Sequence, residues 1–188
     1  MSARNLATTL IVFLGATFLS PDAWAQRRPH GPAEMFTAPL KADGTRNAGA
    51  VLQSGVPRDF TLPASATEGL WTGGAAVSIT VPAGATRLDI QLTTSTPNAD
   101  LDMYVRIGSD PTVSGSSILG EFYSETLSGN EAITIDTAGW FSSTEQRHAS
   151  PTLQATTYNI AFYSYTTGTP INARIVATVT GGTSGGGT

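Results

Sequence analysis

Apolar and polar residues alternate with a period of two along most of this chain, and no helical period is sustained between Ala50 and Thr180. The clearest stretch is Arg87 to Ser109. Leu88, Ile90 and Leu92 fall on one side, with Arg87, Asp89 and Gln91 on the other. After a turn-rich Thr-Ser-Thr-Pro-Asn, Leu101, Met103, Val105 and Ile107 alternate with Asp100, Asp102, Tyr104 and Arg106. Successive side chains of a strand point to opposite faces of the pleat, so each run predicts a half-buried strand with one dry and one charged face. Further strands are predicted at Ala50–Gln53, Arg58–Leu62 (Phe60 and Leu62 inward), Ala76–Val81 (Val77, Ile79 and Val81 inward) and Glu121–Tyr123. The series continues with Ala132–Asp136 (Ile133 and Ile135 inward), Thr157–Tyr165 (Ile160 and Phe162 inward) and Ala173–Thr180 (Ile175 and Val179 inward). Strands this short, separated by turn residues, make an all-β chain: an antiparallel β-sandwich of about eight to ten strands.

Two sections break the rhythm. Asp110 to Gly120 is a Gly/Ser-rich loop, and Thr137 to Thr156 is the longest irregular section. A long loop inside a domain is uncommon. The aromatic pair Trp140-Phe141 is read as pinning this one onto the sandwich, because large rings bury much area.

The ends differ in kind. Arg4 is followed by an apolar run from Leu6 to Leu19, a Ser-Pro-Asp breaker and the small-x-small triplet Ala23-Trp24-Ala25. Residues 1–25 therefore read as a signal peptide cleaved before Gln26, the run being short for a spanning helix. Residues 26–49 are rich in Pro, Gly, Ala and small polar residues and read as a poorly ordered leader. Residues 50–180 form the sandwich module. The Gly/Ser/Thr tail, 181–188, reads as an unstructured end or a linker to a further domain.

Composition narrows the function classes. Only 13% of the 188 residues are charged, the formal net charge is -4, and the chain has 20 glycines, 11 prolines and no cysteine. Without a basic cluster on the module, nucleic-acid binding by counterion release is excluded. Without cysteine there is no disulfide, thiolate zinc site or thiol nucleophile. A secreted location, extracellular or periplasmic, follows from the N-terminus.

With these residues in place, the chain resembles the bacterial pre-peptidase C-terminal domain family, whose fold relatives include the collagen-binding modules of clostridial collagenases. The likeness runs from about Val51 to Thr180 and is carried by Val81-Pro82-Ala83-Gly84-Ala85-Thr86 and Asn98-Ala99-Asp100-Leu101-Asp102-Met103-Tyr104-Val105-Arg106 with Gly108. It continues in Ser128-Gly129-Asn130-Glu131 and Thr157-Tyr158-Asn159-Ile160. The resemblance implies a jelly-roll-like β-sandwich of the kind appended to secreted hydrolases, most often proteases. It also implies a targeting or substrate-binding role without catalysis.

The residues themselves point the same way. The histidines are His30, in the leader, and His148, in the irregular section. A nucleophile needs a base and an orienting group, and the strand-turn-helix setting of a nucleophile elbow is missing, so no catalytic residue is assigned and the chain is not read as an enzyme. Asp100 and Asp102, two apart on a strand, share a face, and Asp89 lies outward on the preceding strand. Neighbouring carboxylates repel, and a hard cation relieves that repulsion, which makes Asp89, Asp100 and Asp102 a candidate calcium site. The plainer reading of the same residues is solvated carboxylates blunting a sheet face. Calcium is the one cofactor these residues suggest, two histidines being too few for a His-based zinc site. Tyr104, Tyr163 and Tyr165 are read as outward-facing, a row of rigid amphipathic rings suited to a fibrous or polysaccharide partner.

The reading is a secreted, non-catalytic β-sandwich accessory module that binds an extracellular polymer or protein, or assists an exported partner. The alternatives are a pro- or targeting segment of a secreted peptidase whose catalytic part is elsewhere, and a purely structural envelope or matrix protein. The exported protein is expected to begin at Gln26; N-terminal sequencing that finds Met1 retained would refute the signal.

Overall fold

Strand periodicity in the sequence becomes two packed sheets in the computed structural model, which describes residues 34–37, 50–73 and 76–182. The stretch read as a signal peptide, His30, most of the stretch read as a leader and the tail beyond residue 182 lie outside the described residues. In chain order the strands are β1 (Glu34–Thr37), β2 (Ala50–Val51), β3 (Arg58–Leu62), β4 (Gly69–Thr72), β5 (Val77–Thr80), β6 (Ala85–Thr94) and β7 (Leu101–Ile107). They continue as β8 (Thr112–Ser114), β9 (Ser117–Leu119), β10 (Phe122–Ser124), β11 (Glu131–Asp136), β12 (Gly139–Ser142), β13 (Thr157–Ser164) and β14 (Ile171–Gly181). No α-helix occurs among the described residues. The protein is an all-β sandwich.

The first sheet has seven strands. At its centre β13 pairs along one edge with β7, which carries β10, and along the other with β4 and β5. β1 lies parallel to β4 and β2 parallel to β5; the other pairs of this sheet are antiparallel. The second sheet is antiparallel, in the order β12-β11-β6-β14-β3. β8 and β9 form a separate hairpin.

The inward sets read from alternation are buried where they were expected. Leu88, Ile90, Leu92, Leu101, Met103, Val105, Ile133, Ile135, Ile160, Phe162 and Ile175 all belong to one apolar cluster between the sheets. Val179 and Phe60 are only partly buried against it. The two layers are joined by ring contacts: Phe60 of β3 stacks on Phe162 of β13 with centroids 4.8 Å apart, and Trp140 of β12 meets Phe122 of β10 edge-on at 5.5 Å. Such pairs add about 0.5–1.5 kcal/mol each beyond the area they bury.

Fourteen strands among the described residues exceed the expected number, and the surplus is short. β4 is a buried Gly-Leu-Trp-Thr, too brief to show a period. β8 and β9 fold the Gly/Ser-rich loop into a hairpin about Gly115, whose φ of +61° a residue without Cβ adopts freely. β1 lies within the stretch read as leader, where it gains its place by adding to the edge of β4.

The long irregular section is likewise knit into the fold. Trp140, fully buried, exchanges backbone hydrogen bonds with His148 (2.9 and 2.8 Å), and the two rings stack at 4.6 Å. The reading of Trp140 as a pin therefore holds, whereas Phe141 points away from the core and receives the Arg147 guanidinium 4.9 Å over its ring.

The close pairing across β12 is possible because Gly139 has no side chain. Its φ is +125°, and a Cβ there would lie 1.8 Å from the His148 carbonyl oxygen. Gly168 also has a positive φ, +71°, but faces open space. In urea denaturation, Gly139→Ala is expected to cost about 3 kcal/mol or more and Gly168→Ala about 1 kcal/mol. Equal losses would remove the steric account.

Candidate functional site

Each sheet has an outer face, and the two differ. On the first sheet, Leu70 of β4, Tyr163 of β13 and Asp102 of β7 stand side by side in register, with Tyr104 opposite Ala161 and Tyr123. This is the face where the sequence placed a wet row of tyrosines. Instead Tyr104 is 3% exposed, Tyr163 2% and Asp102 0%, while Tyr165 is half-buried and tilts onto Tyr163 at 4.7 Å. The expectation of an open aromatic row is corrected. Part of the cover is the β8–β9 hairpin, tied down where the Thr72 hydroxyl donates to the Pro111 carbonyl at 2.7 Å and Arg106 reaches the Asp110 carbonyl at 3.4 Å.

The Tyr104 hydroxyl donates to Glu125 Oε1 at 2.7 Å. Burial pushes its pKa far up, and the neighbouring charges of Glu125 and Asp102 add to the shift. Burial also raises Tyr163, helped by Glu68 and Asp102. These tyrosines are neutral hydrogen-bonding groups inside a covered layer.

The candidate calcium trio is divided between the sheets. Asp89 lies on β6 of the second sheet, opposite Thr134 and Thr178, whereas Asp102 lies on β7 of the first and Asp100 just before it. Burial raises Asp89, but hydrogen bonds from Arg87 and Thr134 outweigh it and hold the carboxyl below its usual range. Asp89 takes a two-pronged contact from Arg87, at 2.6 and 2.7 Å, with the Thr134 hydroxyl at 2.7 Å. Among the described residues no three His, Asp or Glu side chains are placed to share a metal ion. β6 and β7 are consecutive, but their pairing partners belong to different sheets, and this separates the carboxylates.

His148, stacked on Trp140, contacts Glu145 Oε2 through Nε2 at 3.0 Å. In this setting the imidazole braces the loop against β12.

The second sheet presents an open polar face. Asp59 on β3 holds Arg174 on β14 by two bonds, 2.6 and 2.9 Å, and the neighbouring pair Thr61–Asn172 is bonded at 2.8 Å. Along with Thr93 and Ser95 these residues line a shallow groove of about 590 Å³, floored by the strands themselves. Farther along the same face lie Arg87–Asp89 and Arg147–Asp136. Sequence reasoning missed this groove; its one signal was the run of outward Thr, Asn and Arg on β14 and β6 opposite Asp59.

Glu131 opens β11 and is 2% exposed. The hydroxyl of Ser124 donates to its Oε2, and the Thr126 amide and hydroxyl donate to its Oε1 at 2.9 and 2.6 Å. Its carboxylate therefore ties the turn before β11 to the end of β10.

No family model matches the chain, and no curated protein matches it. Among solved structures, the chain is similar to a 1.0 Å crystal structure of the pre-peptidase C-terminal domain of collagenase from Bacillus anthracis. The identity is 10% and the TM-score 0.33, and the match covers 81% of this chain and 99% of that one. At that distance, function has to be read from the chain's own residues.

Burial raises the Glu131 pKa above its ordinary 4.5, although the Ser124 and Thr126 bonds pull it down in part. The folded state thus holds this proton to higher pH than the unfolded chain. The stability from the neutral carboxyl is full below the ordinary value and is lost as pH rises through the raised one. Glu131→Gln is expected to lose less melting temperature than wild type as pH rises above the ordinary carboxyl value of 4.5. Identical pH profiles would show that Glu131 is not the buried titrating group.

Proposed function

We propose that this chain is a secreted, non-catalytic β-sandwich module that binds an extracellular polymer or protein through the outer face of its second sheet. The observation that carries the reading is the contrast between the two outer faces. The first sheet's tyrosine face is covered, and the second sheet leaves a groove of paired donors and acceptors open along β3, β14 and β6. Asp59, Arg174, Thr61 and Asn172 are held in place by one another, so their ordering cost is met before a ligand arrives. A sheet surface lined with hydroxyl, amide and guanidinium groups suits a repeating chain that offers hydroxyls or peptide groups at regular spacing. Binding would then be adsorption along a rigid strand array, with no bond made or broken in the ligand.

The export signal read at residues 1–25 supports an extracytoplasmic setting for such a module. The test is retention on collagen, cellulose, chitin and peptidoglycan, comparing wild type with Asn172→Ala/Arg174→Ala. Wild type is expected to be held by at least one matrix, and the double variant to bind it about tenfold more weakly, equivalent to about 1.4 kcal/mol. Failure on every matrix would sink the binding role, and equal retention would move the contact away from the groove.

A further inference from the structure

The groove on the second sheet offers more hydrogen-bond donors than acceptors. It holds two polar rows that cross the strands. One is Asp59, Arg174 and Thr93, in register on β3, β14 and β6; the other, two residues along, is Thr61 and Asn172. In the first row, Nε and Nη2 of Arg174 each give one N–H to Asp59. A guanidinium carries five N–H groups, so three remain for a ligand. In the second row, the Thr61 hydroxyl donates to Asn172 Oδ1. That bond occupies the acceptor end of the amide. Asn172 is exposed, and its Nδ2, with two N–H groups, makes no bond among the described residues. The charged side chains lining the groove are one acid and one base, bonded to each other, so these donors face a ligand without a net charge behind them.

Spacing narrows the class of acceptor. Asn172 and Arg174 both stand on β14, with the buried Ala173 between them pointing the other way. Their side chains therefore rise from one face about 6.8 Å apart. An extended polypeptide shows carbonyls on one side of its backbone at every second residue, the same interval of about 6.8 Å. A polyproline-type chain repeats every third residue, about 9.3 Å, and falls out of step after one contact. A saccharide offers hydroxyls, which ask for acceptors as much as donors. The ring that lines the groove, Phe60, gives it no open aromatic platform, since it is stacked on Phe162 at 4.8 Å.

We propose that the groove takes a polypeptide in extended conformation, laid along β14 so that two alternate backbone carbonyls accept from Asn172 Nδ2 and Arg174 Nη1. Recognition then reads the ligand's main chain, and its side chains are left to solvent or to the neighbouring Thr93. This assignment rests on the polymer-binding reading and names the ligand class for the same groove.

The experiment measures, by fluorescence anisotropy, binding of the full chain to labelled probes of similar length: an uncharged peptide of alternating Thr and Gln, an oligoproline, chitohexaose and cellohexaose. Wild type is compared with Asn172→Asp, which keeps the acceptor for Thr61 and exchanges the two donors for an oxygen. The position is exposed, so the variant is expected to melt within about 2 degrees of wild type. Wild type is expected to bind the Thr/Gln peptide at least about tenfold more tightly than the other probes. Asn172→Asp is expected to weaken that binding about tenfold, because a carbonyl has no proton to give a carboxylate. Raising salt is expected to change the peptide affinity little, the groove's charges being paired internally. Tighter binding of oligoproline or of a saccharide, peptide binding that Asn172→Asp leaves intact, or an affinity that collapses in salt would each overturn the extended-peptide assignment. Those outcomes leave the polymer-binding reading standing. Binding to none of the probes also overturns the assignment, and the broader reading falls with it only if retention on every matrix fails as well.

Discussion

Burial of β13 on both faces is the constraint on which the rest of the structure depends. Ile160 and Phe162 point into the space between the sheets, Ala161 and Tyr163 point the other way, and all are at most 2% exposed. Burying each large apolar side chain contributes about 1.5–3 kcal/mol, so this strand concentrates stabilisation that most strands of a two-layer sandwich draw from one face only. The consequence is architectural. A sheet with a dry outer face needs a third layer, and the β8–β9 hairpin supplies part of it through Thr72–Pro111 and Arg106.

The second sheet solves the opposite problem. Its outer face is polar and wet, and its charged residues neutralise one another in Arg–Asp pairs without leaving the surface. Exposed pairs of this kind contribute little to stability, about 0–1 kcal/mol each. The energy holding the fold comes from the apolar cluster between the sheets and from β13. The polar face is therefore free to vary chemically without threatening the fold, which is the property a recognition surface requires.

How much of this was legible in the sequence depended on whether the deciding interaction is local. Leu88, Ile90, Leu92, Leu101, Met103 and Val105 were placed correctly, because alternation within one strand sorts inward from outward whatever lies across from it. Tyr104 and Tyr163 were placed on the correct face of their strands but in the wrong environment. A tyrosine is compatible with water or with a covered layer, and the cover comes from residues distant in the chain. β4, β8, β9 and β12 were missed because three or four residues do not establish a period; they are strands by virtue of their neighbours.

The sequence by itself determined the all-β class, the apolar seam between the layers and the absence of thiol chemistry, since side-chain alternation and composition act residue by residue. Only the tertiary structure decided that Asp89 and Asp102 belong to different sheets, that one outer face is closed and that the other is open. Those outcomes depend on which edge each strand pairs with, a hydrogen-bonding choice between segments far apart in the chain that no local pattern encodes.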